Sequence, residues 1–565
     1  LSMNQFSRRH FLKSSGIAAS CIAISTAMNG CTTDTPRTQL SNVEFEHGVA
    51  SGDPSSSAVI IWTRVQPAVK VNTAQLAWEL ASDRDFTQIL RTGIVTTQRH
   101  QDFTVKVDVQ QLKPATAYYY RFIGANNTSQ TGRTLTLPDN NVEQIKLVVV
   151  SCSNYPAGYF NAYHHAAQLD DIDAVLHLGD YIYEYPMGGY ATEKAAEIGR
   201  ALAPDNANEI ISLDDYRKRY AIYRTDKGLQ ALHAAAPFIA VWDDHEVCND
   251  TYKNGAQNHN DGEGDFFARR AAAIQAYYEW LPIRPPYGEQ KPEIYRSFDF
   301  GNLLSLHMLD TRVIGRDKQL SYDDYQDNVT KQIDIKQFSQ DLHNPQRTLL
   351  GKEQMSWLQK TVSQSSSQWQ MLGQQVLMAK MLVPVEVFAG GDIADVPVRI
   401  AALKSLKNTL DAGESITPEQ QQRLASVMPY NLDAWDGYPK EREDLYALFN
   451  AQNKRLVVVA GDTHNAWHSE LKNSEGNIVG VEFATPGISS PGMESYLKLT
   501  NDNAPIVAEN LSSLIADLTY CNLHQRGYMV VTITPESADA KWHFVDNILS
   551  DEYTVINTHQ ASYKA

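Results

Sequence analysis

The stretch Ala174-Val175-Leu176-His177-Leu178-Gly179-Asp180 has the pattern of a buried strand that turns sharply into a loop. Short apolar runs of this kind, alternating with helical stretches, are typical of an α/β sheet. From position 145 onward, four more apolar runs end in polar side chains, most of which can bind metals. They end at Ser151-Cys152, Asp243-Asp244-His245-Glu246, Asp310-Thr311-Arg312 and Gly461-Asp462-Thr463-His464. Because ligands sit at the carboxyl edge of such sheets, the five endings predict one shared site.

The side chains at these endings offer the chemistry of a metal centre. Asp180 follows a glycine, so its carboxylate can point out of the sheet and bridge two cations. Tyr183 lies three residues further on, and a phenolate is a hard anionic ligand suited to a trivalent metal. Cys152 adds a thiolate, since metal binding deprotonates a thiol. Asp462 and His464 alternate by two, as loop residues do when both face one site.

Further polar groups accompany this set. Asp244, His245 and Asn249 supply oxygen and nitrogen groups. Arg312 offers a planar fork for phosphate oxygens. Taken singly, these residues have ordinary structural explanations, because an aspartate can cap a helix and a tyrosine or cysteine can belong to the core. The joint pattern at five strand ends is what favours a metal site.

The 565-residue chain has 49 basic and 66 acidic residues and a net charge of −17. This acidity argues against binding of nucleic acid through its phosphates, so we expect no sequence-specific nucleic-acid binding. With 43% hydrophobic residues, the chain has enough apolar side chains for a large core. An anionic substrate would need a local source of positive charge, which a metal cluster provides.

Residues 1–30 predict an export signal. Arg8-Arg9 precedes a weakly hydrophobic run from Gly16 to Met28, which is typical of twin-arginine export in bacteria. We therefore expect the twin-arginine export machinery as a partner and a periplasmic or secreted location. Cys31 opens a polar linker over residues 31–41 and leaves two alternatives open. It is either the lipidated first residue of a membrane-anchored lipoprotein or an unmodified part of the linker.

The domain organisation follows from a change of pattern along the chain. Residues 42–138 contain short strands rich in β-branched and aromatic residues, and their arrangement resembles a fibronectin type III β-sandwich. We expect the catalytic domain over residues 145–550 and a C-terminal tail over residues 551–565. Residues 385–420 are loosely patterned, and a surface insertion is favoured over a lid.

The strand-end motifs together resemble those of the PhoD-like alkaline phosphatases. The matching segments are Ser151-Cys152-Ser153-Asn154, Gly179-Asp180-Tyr181-Ile182-Tyr183-Glu184, Trp242-Asp243-Asp244-His245-Glu246-Val247, Leu309-Asp310-Thr311-Arg312, Trp435-Asp436-Gly437-Tyr438-Pro439 and Gly461-Asp462-Thr463-His464. The resemblance implies a metallophosphatase-type layered αββα catalytic domain, distantly similar to purple acid phosphatases, behind a fibronectin type III-like β-sandwich. It also implies an exported phosphatase and phosphodiesterase with a calcium- and iron-dependent centre.

The resemblance further implies roles for single residues. The ligands of Fe³⁺ would be Cys152, Asp180, Tyr183 and Asp462. Asp180 would also bridge to Ca²⁺, with Asn249 as a calcium ligand and His464 close by. The alternatives to Asn249 are Asp243, Asp244 and Asp250. Similar donor sets also accept zinc or manganese, so neither is excluded.

The predicted reaction is hydrolysis of phosphate monoesters and diesters at alkaline pH by a metal-activated oxygen nucleophile. The sequence has no Gly-x-Ser-x-Gly elbow, so no serine nucleophile is expected. His245 or His464 would protonate the leaving oxygen, and Arg312 would contact the phosphate. Two alternatives stay open, a phospholipid-specific phosphodiesterase of the same fold and a non-catalytic surface-binding protein. The chain is expected to be monomeric.

Overall fold

The computed structural model describes residues 39–285, 293–330, 332–387, 392–556 and 559–564. The predictions for residues 1–30 and for Cys31 therefore lie outside the described residues. Helices within the described ranges are α1 Asn161–Ala166, α2 Leu213–Tyr223, α3 Lys227–Ala235, α4 Phe266–Trp280, α5 Ile335–Leu342, α6 Gly351–Gln364, α7 Val396–Asp411, α8 Pro418–Ala425, α9 Pro439–Ala451, α10 Met493–Tyr496 and α11 Ala504–Leu514. None of these helices is long and apolar enough to cross a membrane.

Strands of the first third of the chain are β1 Val43–Glu44, β2 Val49–Gly52, β3 Ala58–Arg64, β4 Gln66–Pro67, β5 Thr73–Ala81, β6 Ile89–Gln98, β7 Thr104–Gln110, β8 Ala117–Ile123 and β9 Gly132–Leu135. The remaining strands are β10 Ile145–Val150, β11 Ala174–His177, β12 Phe238–Ala240, β13 Arg296–Phe300, β14 Leu304–Met308, β15 Trp369–Gly373, β16 Leu382–Pro384, β17 Val427–Pro429, β18 Arg455–Ala460, β19 Ala466–Lys472, β20 Ile478–Ala484, β21 Leu518–Asn522, β22 Arg526–Ile533, β23 Ser537–Val545, β24 Val555–Ile556 and β25 Gln560–Lys564. All five apolar runs predicted to be strands are strands, namely β10, β11, β12, β14 and β18.

Two large sheets form the centre of the molecule. The first has the strand order β24-β23-β22-β10-β11-β12-β2-β3-β7, with β25 also paired to β23. The second has the order β13-β14-β15-β18-β20-β19-β21. Within the first sheet β10, β11 and β12 are parallel, and within the second β14, β15, β18 and β20 are parallel. The loops that follow the central parallel strands therefore lie together at the carboxyl edge of each sheet, as the sequence predicts.

The alternation of side chains along β18 shows how the layers pack. Val457 and Val459 lie in one core with Val149 of β10, between the two sheets. Leu456 and Val458 lie in a second core, which also contains apolar side chains of helices α6, α9 and α11. Because successive side chains of a strand point to opposite faces, a continuous apolar run is needed to bury both. The result is a layered α/β fold of two packed sheets with helices outside.

The N-terminal region is a β-sandwich. One of its sheets has the order β6-β5-β8-β9, and strands β2, β3 and β7 cover the other side of a shared apolar core. Strand β2 also pairs in parallel with β12 through Gly52 and Phe238, so the sandwich continues directly into the first large sheet. An alanine Cβ at Gly52 would lie 2.4 Å from the Pro282 carbonyl oxygen, so this close approach needs glycine.

Two segments make more contacts with the folded layers than their sequence indicates. Strands β24 and β25, within the predicted C-terminal tail, both pair with β23. Strand β24 has only two residues and β25 is mostly polar, so neither shows a strand pattern without its partner. Within residues 385–420, helix α7 buries Val396, Ile400 and Leu403 in the second core. This segment therefore contributes to the folded layers of the catalytic region.

Candidate metal centre

The five predicted strand ends meet at one edge of the two sheets. Cys152 follows β10, Asp180 follows β11, and His245 lies in the loop after β12. From the second sheet, Arg312 follows β14 and Asp462 follows β18. A Cβ on Gly461 would lie 2.6 Å from the Ser151 hydroxyl oxygen, so the ends of β10 and β18 touch across the two sheets. This edge is where the candidate site forms.

Three groups of three residues that could hold a metal ion lie at this edge, and within each group the potential ligand atoms lie within 4.8 Å of one another. The groups are Cys152–Asp180–His464, Asp180–Asp244–His245 and Asp243–Asp244–Asp462. The first two share Asp180, and the last two share Asp244. Cations bound in neighbouring groups would therefore share a carboxylate, which is the arrangement of a multi-metal centre.

The backbone at this edge adopts a conformation that side-chain-bearing residues rarely use. Cys152, Asp180, Asp462 and His464 have φ angles of 60°, 55°, 63° and 62°. Left-handed residues of this kind are strained and cluster at functional sites, where the surrounding structure holds them. Gly179 has a φ of 109°, and a Cβ there would lie 2.4 Å from the backbone nitrogen of Asp243. Only glycine allows the loops after β11 and β12 to approach so closely.

Tyr183 belongs to the first of these groups by its contacts. Its hydroxyl donates to Asp180 Oδ2 at 2.9 Å and lies 3.2 Å from His464 Nε2. The Ser490 hydroxyl donates to it at 2.7 Å. Burial, reinforced by the Asp180 charge, raises the pKa of Tyr183 well above its usual range. A bound cation would reverse this effect by favouring the phenolate.

Several acidic groups of the site are unfavourable in their charged forms. Burial, together with repulsion from neighbouring carboxylates, raises the pKa values of Cys152, Asp243 and Asp462 well above their usual ranges. Asp180 Oδ1 and Asp243 Oδ2 are buried and have no hydrogen-bond partner among the described residues. A buried acceptor without a donor raises the free energy of the folded state unless a metal ion or a water molecule binds to it. The thiol, phenol, imidazole and carboxylates present here therefore fit a metal centre.

Arg312 is buried among carboxylates of the site. The sequence predicts that it contacts phosphate, but its side chain is 0% exposed. Its guanidinium donates to Asp243 Oδ1 at 2.5 Å, to Asp433 Oδ1 at 2.7 Å and to Asp462 Oδ1 at 2.8 Å. A guanidinium held by three carboxylates neutralises and positions them.

His245 is fixed by a buried carboxylate. Its Nδ1 lies 2.7 Å from Oε2 of Glu184, whose side chain is 0% exposed. The other Glu184 oxygen accepts from the Asn249 backbone N–H at 2.8 Å and from the Asn258 amide at 2.7 Å. The Asn249 side chain lines the cavity and donates to Gln257 Oε1 at 3.0 Å. Glu184, in the loop after β11, therefore fixes the segment after β12 that carries both His245 and Asn249.

A cavity of about 230 Å³ opens over these groups. Its walls are formed by Asp180, Tyr185, Tyr190, Asp244, His245, Asn249, Asp250, Asn431, Asp433, Asp462, His464 and Tyr496. Among the described residues, neither lysine nor arginine lines it. Sequence reasoning missed Glu184 as a positioning residue, although it closes the Gly179–Glu184 motif. It also missed Asp433 and the tyrosines Tyr185, Tyr190 and Tyr496, because none of them stands directly at the end of an apolar run.

The fold and the site together define a layered α/β enzyme with a candidate multi-metal centre at the meeting edge of two sheets. The family model for "PhoD-like phosphatase" matches residues 147–542, and that for "PhoD-like phosphatase, N-terminal domain" matches residues 30–138. The chain belongs to the PhoD-like phosphatase family and is a hydrolase of phosphoric esters. The resemblance inferred from the strand-end motifs is thereby confirmed.

Two relatives illustrate how far the similarity extends. Alkaline phosphatase D of Bacillus subtilis (strain 168) is 34% identical over 556 residues, which are 95% of this chain and 84% of the relative. A solved structure described as "Structure of PhoD" is 31% identical, with a TM-score of 0.73. That match covers 95% of this chain and 92% of the solved chain. The similarity thus includes both the sandwich and the catalytic layers.

Proposed function

We propose that the protein is an exported alkaline phosphatase and phosphodiesterase that works with an iron-calcium centre. One observation carries the proposal. Asp180 belongs to two ligand groups. One contains the Cys152 thiol and contacts the Tyr183 phenol, and the other contains the Asp244 carboxylate and the His245 imidazole. The first donor set suits a trivalent metal such as Fe³⁺, and the oxygen-rich second set suits Ca²⁺.

The proposed ligands follow this division. Cys152, Asp180 and Tyr183 form the core of the iron site. His464 is the third member of the group with Cys152 and Asp180, whereas Asp462, implied by the family resemblance, lies in the group with Asp243 and Asp244. The calcium site takes Asp180 and Asn249, with Asp244 and Asp250 within the same cavity. Zinc or manganese in place of iron remains an outcome that metal analysis decides.

The bound cations would neutralise the phosphate oxygens and lower the pKa of a coordinated water. The chain's own residues would hold these cations and orient the reacting groups. Carboxylates dominate the cavity lining, which contains five aspartates and, among the described residues, neither lysine nor arginine, so an anionic ester is repelled until these carboxylates are neutralised. The contact of His245 Nδ1 with Glu184 leaves the other ring nitrogen free of that partner and supports His245 as the group that gives a proton to the leaving oxygen.

The location is proposed from the sequence. The Arg8-Arg9 motif supports twin-arginine export to the periplasm or the medium. Export of a folded protein allows the metals to be bound before translocation. Cys31 keeps its two alternatives, a lipid anchor or an unmodified linker, and mass spectrometry of the exported protein distinguishes them. A monomer is proposed for the exported form, and light scattering tests it.

The test is hydrolysis of 4-nitrophenyl phosphate and bis(4-nitrophenyl) phosphate at alkaline pH by the full-length protein. Activity on both esters, lost with a calcium chelator and restored by calcium, is the expected result. Asp180→Asn should abolish both activities, and Asp502→Asn, at an exposed position, should not. An inactive protein that contains its metals would overturn the proposal. Hydrolysis of phosphatidylcholine vesicles alone would instead identify a phospholipid-specific enzyme.

A further inference from the structure

Three tyrosines stand on the walls of the cavity and take no part in the proposed chemistry. We call Tyr185, Tyr190 and Tyr496 the aromatic rim, since all three line the cavity that contains the candidate metal ligands. They come from two separate segments, the loop after β11 and helix α10. Their convergence at the same opening is therefore a product of the fold, not of local sequence.

Two rim rings are held in fixed positions. The centroids of Tyr190 and Tyr185 are 5.6 Å apart, and Tyr185 lies 5.3 Å from the His245 ring. The Tyr190 hydroxyl donates to the Pro491 carbonyl oxygen at 2.8 Å. Aromatic side chains in such contacts form a rigid surface that loses little entropy when a planar group stacks on it.

Tyr496 differs from the other two because it is 60% exposed. A large aromatic side chain left open at the entrance of a ligand cavity offers apolar area that a bound ligand can cover. It lines the same cavity as the candidate metal ligands Asp462 and His464. A group attached to a phosphate at the centre would therefore pass over Tyr496.

The size of the cavity sets what it can enclose. Pockets that bury a whole drug-sized ligand have volumes of roughly 300–1,000 Å³. The present cavity of about 230 Å³ is smaller and suits a phosphate with its adjoining atoms. The alcohol part of an ester must then extend out to the rim. The rim is thus the surface that distinguishes one ester from another.

We propose that the aromatic rim is a binding subsite for planar aromatic groups, so that the enzyme prefers phosphate esters of aromatic or heteroaromatic alcohols. This inference rests on the proposed function, because it takes the phosphate to lie over the candidate metal ligands. The subsite acts by stacking, and Tyr496 contributes its open face. A ring of the same size that is not planar gains less from such a surface.

The test measures binding of two non-hydrolysable phosphonates to the metal-loaded protein by calorimetry. Phenylphosphonate and cyclohexylphosphonate have the same anionic head and rings of similar size, but only the first is planar. One aromatic contact changes affinity by about two- to tenfold. We expect phenylphosphonate to bind more tightly by about this factor. Tyr496→Ala should bring the two Kd values together, and Tyr496→Phe should preserve their ratio.

Controls separate the inference from the proposed function. Ile506→Ala removes an exposed side chain of α11 that is not on the cavity wall, so the ratio should stay as in the wild type. Equal Kd values in the wild type, or a ratio unchanged in Tyr496→Ala, would overturn the subsite. If neither phosphonate binds and 4-nitrophenyl phosphate is not hydrolysed, the proposed function fails instead. Calorimetry makes this distinction because it does not depend on turnover.

Discussion

The Arg312 guanidinium donates to the Asp433 carboxylate at 2.7 Å and thereby links the end of β14 to the segment that follows β17. The same guanidinium reaches Asp243 and Asp462, two members of the third acidic group. The guanidinium thus places a permanent positive charge among these carboxylates and offsets part of their mutual repulsion.

Replacing Arg312 should therefore affect the stability and assembly of the site more than its affinity for phosphate. Arg312→Met leaves buried carboxylates uncompensated, which costs about 3–5 kcal/mol in comparable buried pairs. We expect a large fall in Tm, and a smaller one for Arg312→Lys, which keeps the charge. Arg84→Met, at an exposed position, is the control. If Arg312 contacted phosphate instead, Arg312→Lys would weaken inhibition by inorganic phosphate and leave Tm unchanged.

Cys152 should be required for the trivalent metal. A serine hydroxyl at this position is much harder to deprotonate than a thiol, so Cys152→Ser should lower iron content by at least about tenfold. Cys248 is a second buried, free cysteine outside the three ligand groups. Cys248→Ser should keep its iron. Elemental analysis measures the metal, and the visible absorbance of a ferric phenolate reports Tyr183 in the same samples. Full iron content in Cys152→Ser would contradict the assignment.

Much of the site's framework could be predicted from the sequence, because it depends on local patterns. Buried parallel strands need continuous apolar runs, and the residues that follow them must lie at the carboxyl edge. Gly179 before Asp180 marked the sharp turn, which the left-handed φ angles of both residues now explain. The two-layer packing followed from the same runs, since both faces of β18 are buried.

Other parts of the site depend on contacts between distant segments, which no local pattern shows. Asp433 is 121 residues from Arg312 along the chain, and its role exists only in the folded protein. The Arg312 fork suits phosphate and carboxylate equally, so no local pattern shows that it pairs with three carboxylates. Tyr496 sits on a short helix without a motif. Strand β25 is visible only through its pairing with β23.

Glu184 should control the protonation and orientation of His245. Although burial opposes it, the charges of Asp244 and Glu184 raise the pKa of His245 well above its usual range. Glu184→Gln removes one of these charges, so the pKa of His245 should fall. If His245 donates a proton, the decline of kcat on the alkaline side should begin at lower pH in the variant. Loss of an orienting partner typically costs about 10–100-fold in activity.

Kinetics over a range of pH test this prediction. KM should change less than kcat, because Glu184 lies behind His245 and is not among the residues that line the cavity. Glu536→Gln, at an exposed position, is the matched control and should keep both the rate and the profile. A uniform fall in rate with an unshifted alkaline limb would show that Glu184 is only structural.

Glu482, on β20 and away from the metal centre, should make stability depend on pH. Its carboxylate accepts the Ala379 backbone N–H at 3.0 Å, but burial outweighs this contact and raises its pKa from 4.5 to about 7. The folded state therefore binds this proton more tightly than the unfolded state, and stability is lost as pH rises from 4.5 to 7. The loss is on the order of 3 kcal/mol at most.

Glu482→Gln carries no charge, so its Tm relative to the wild type should rise between pH 5 and pH 8. Glu475→Gln, at an exposed position, should show no such trend, and a constant difference for Glu482→Gln would refute the raised pKa.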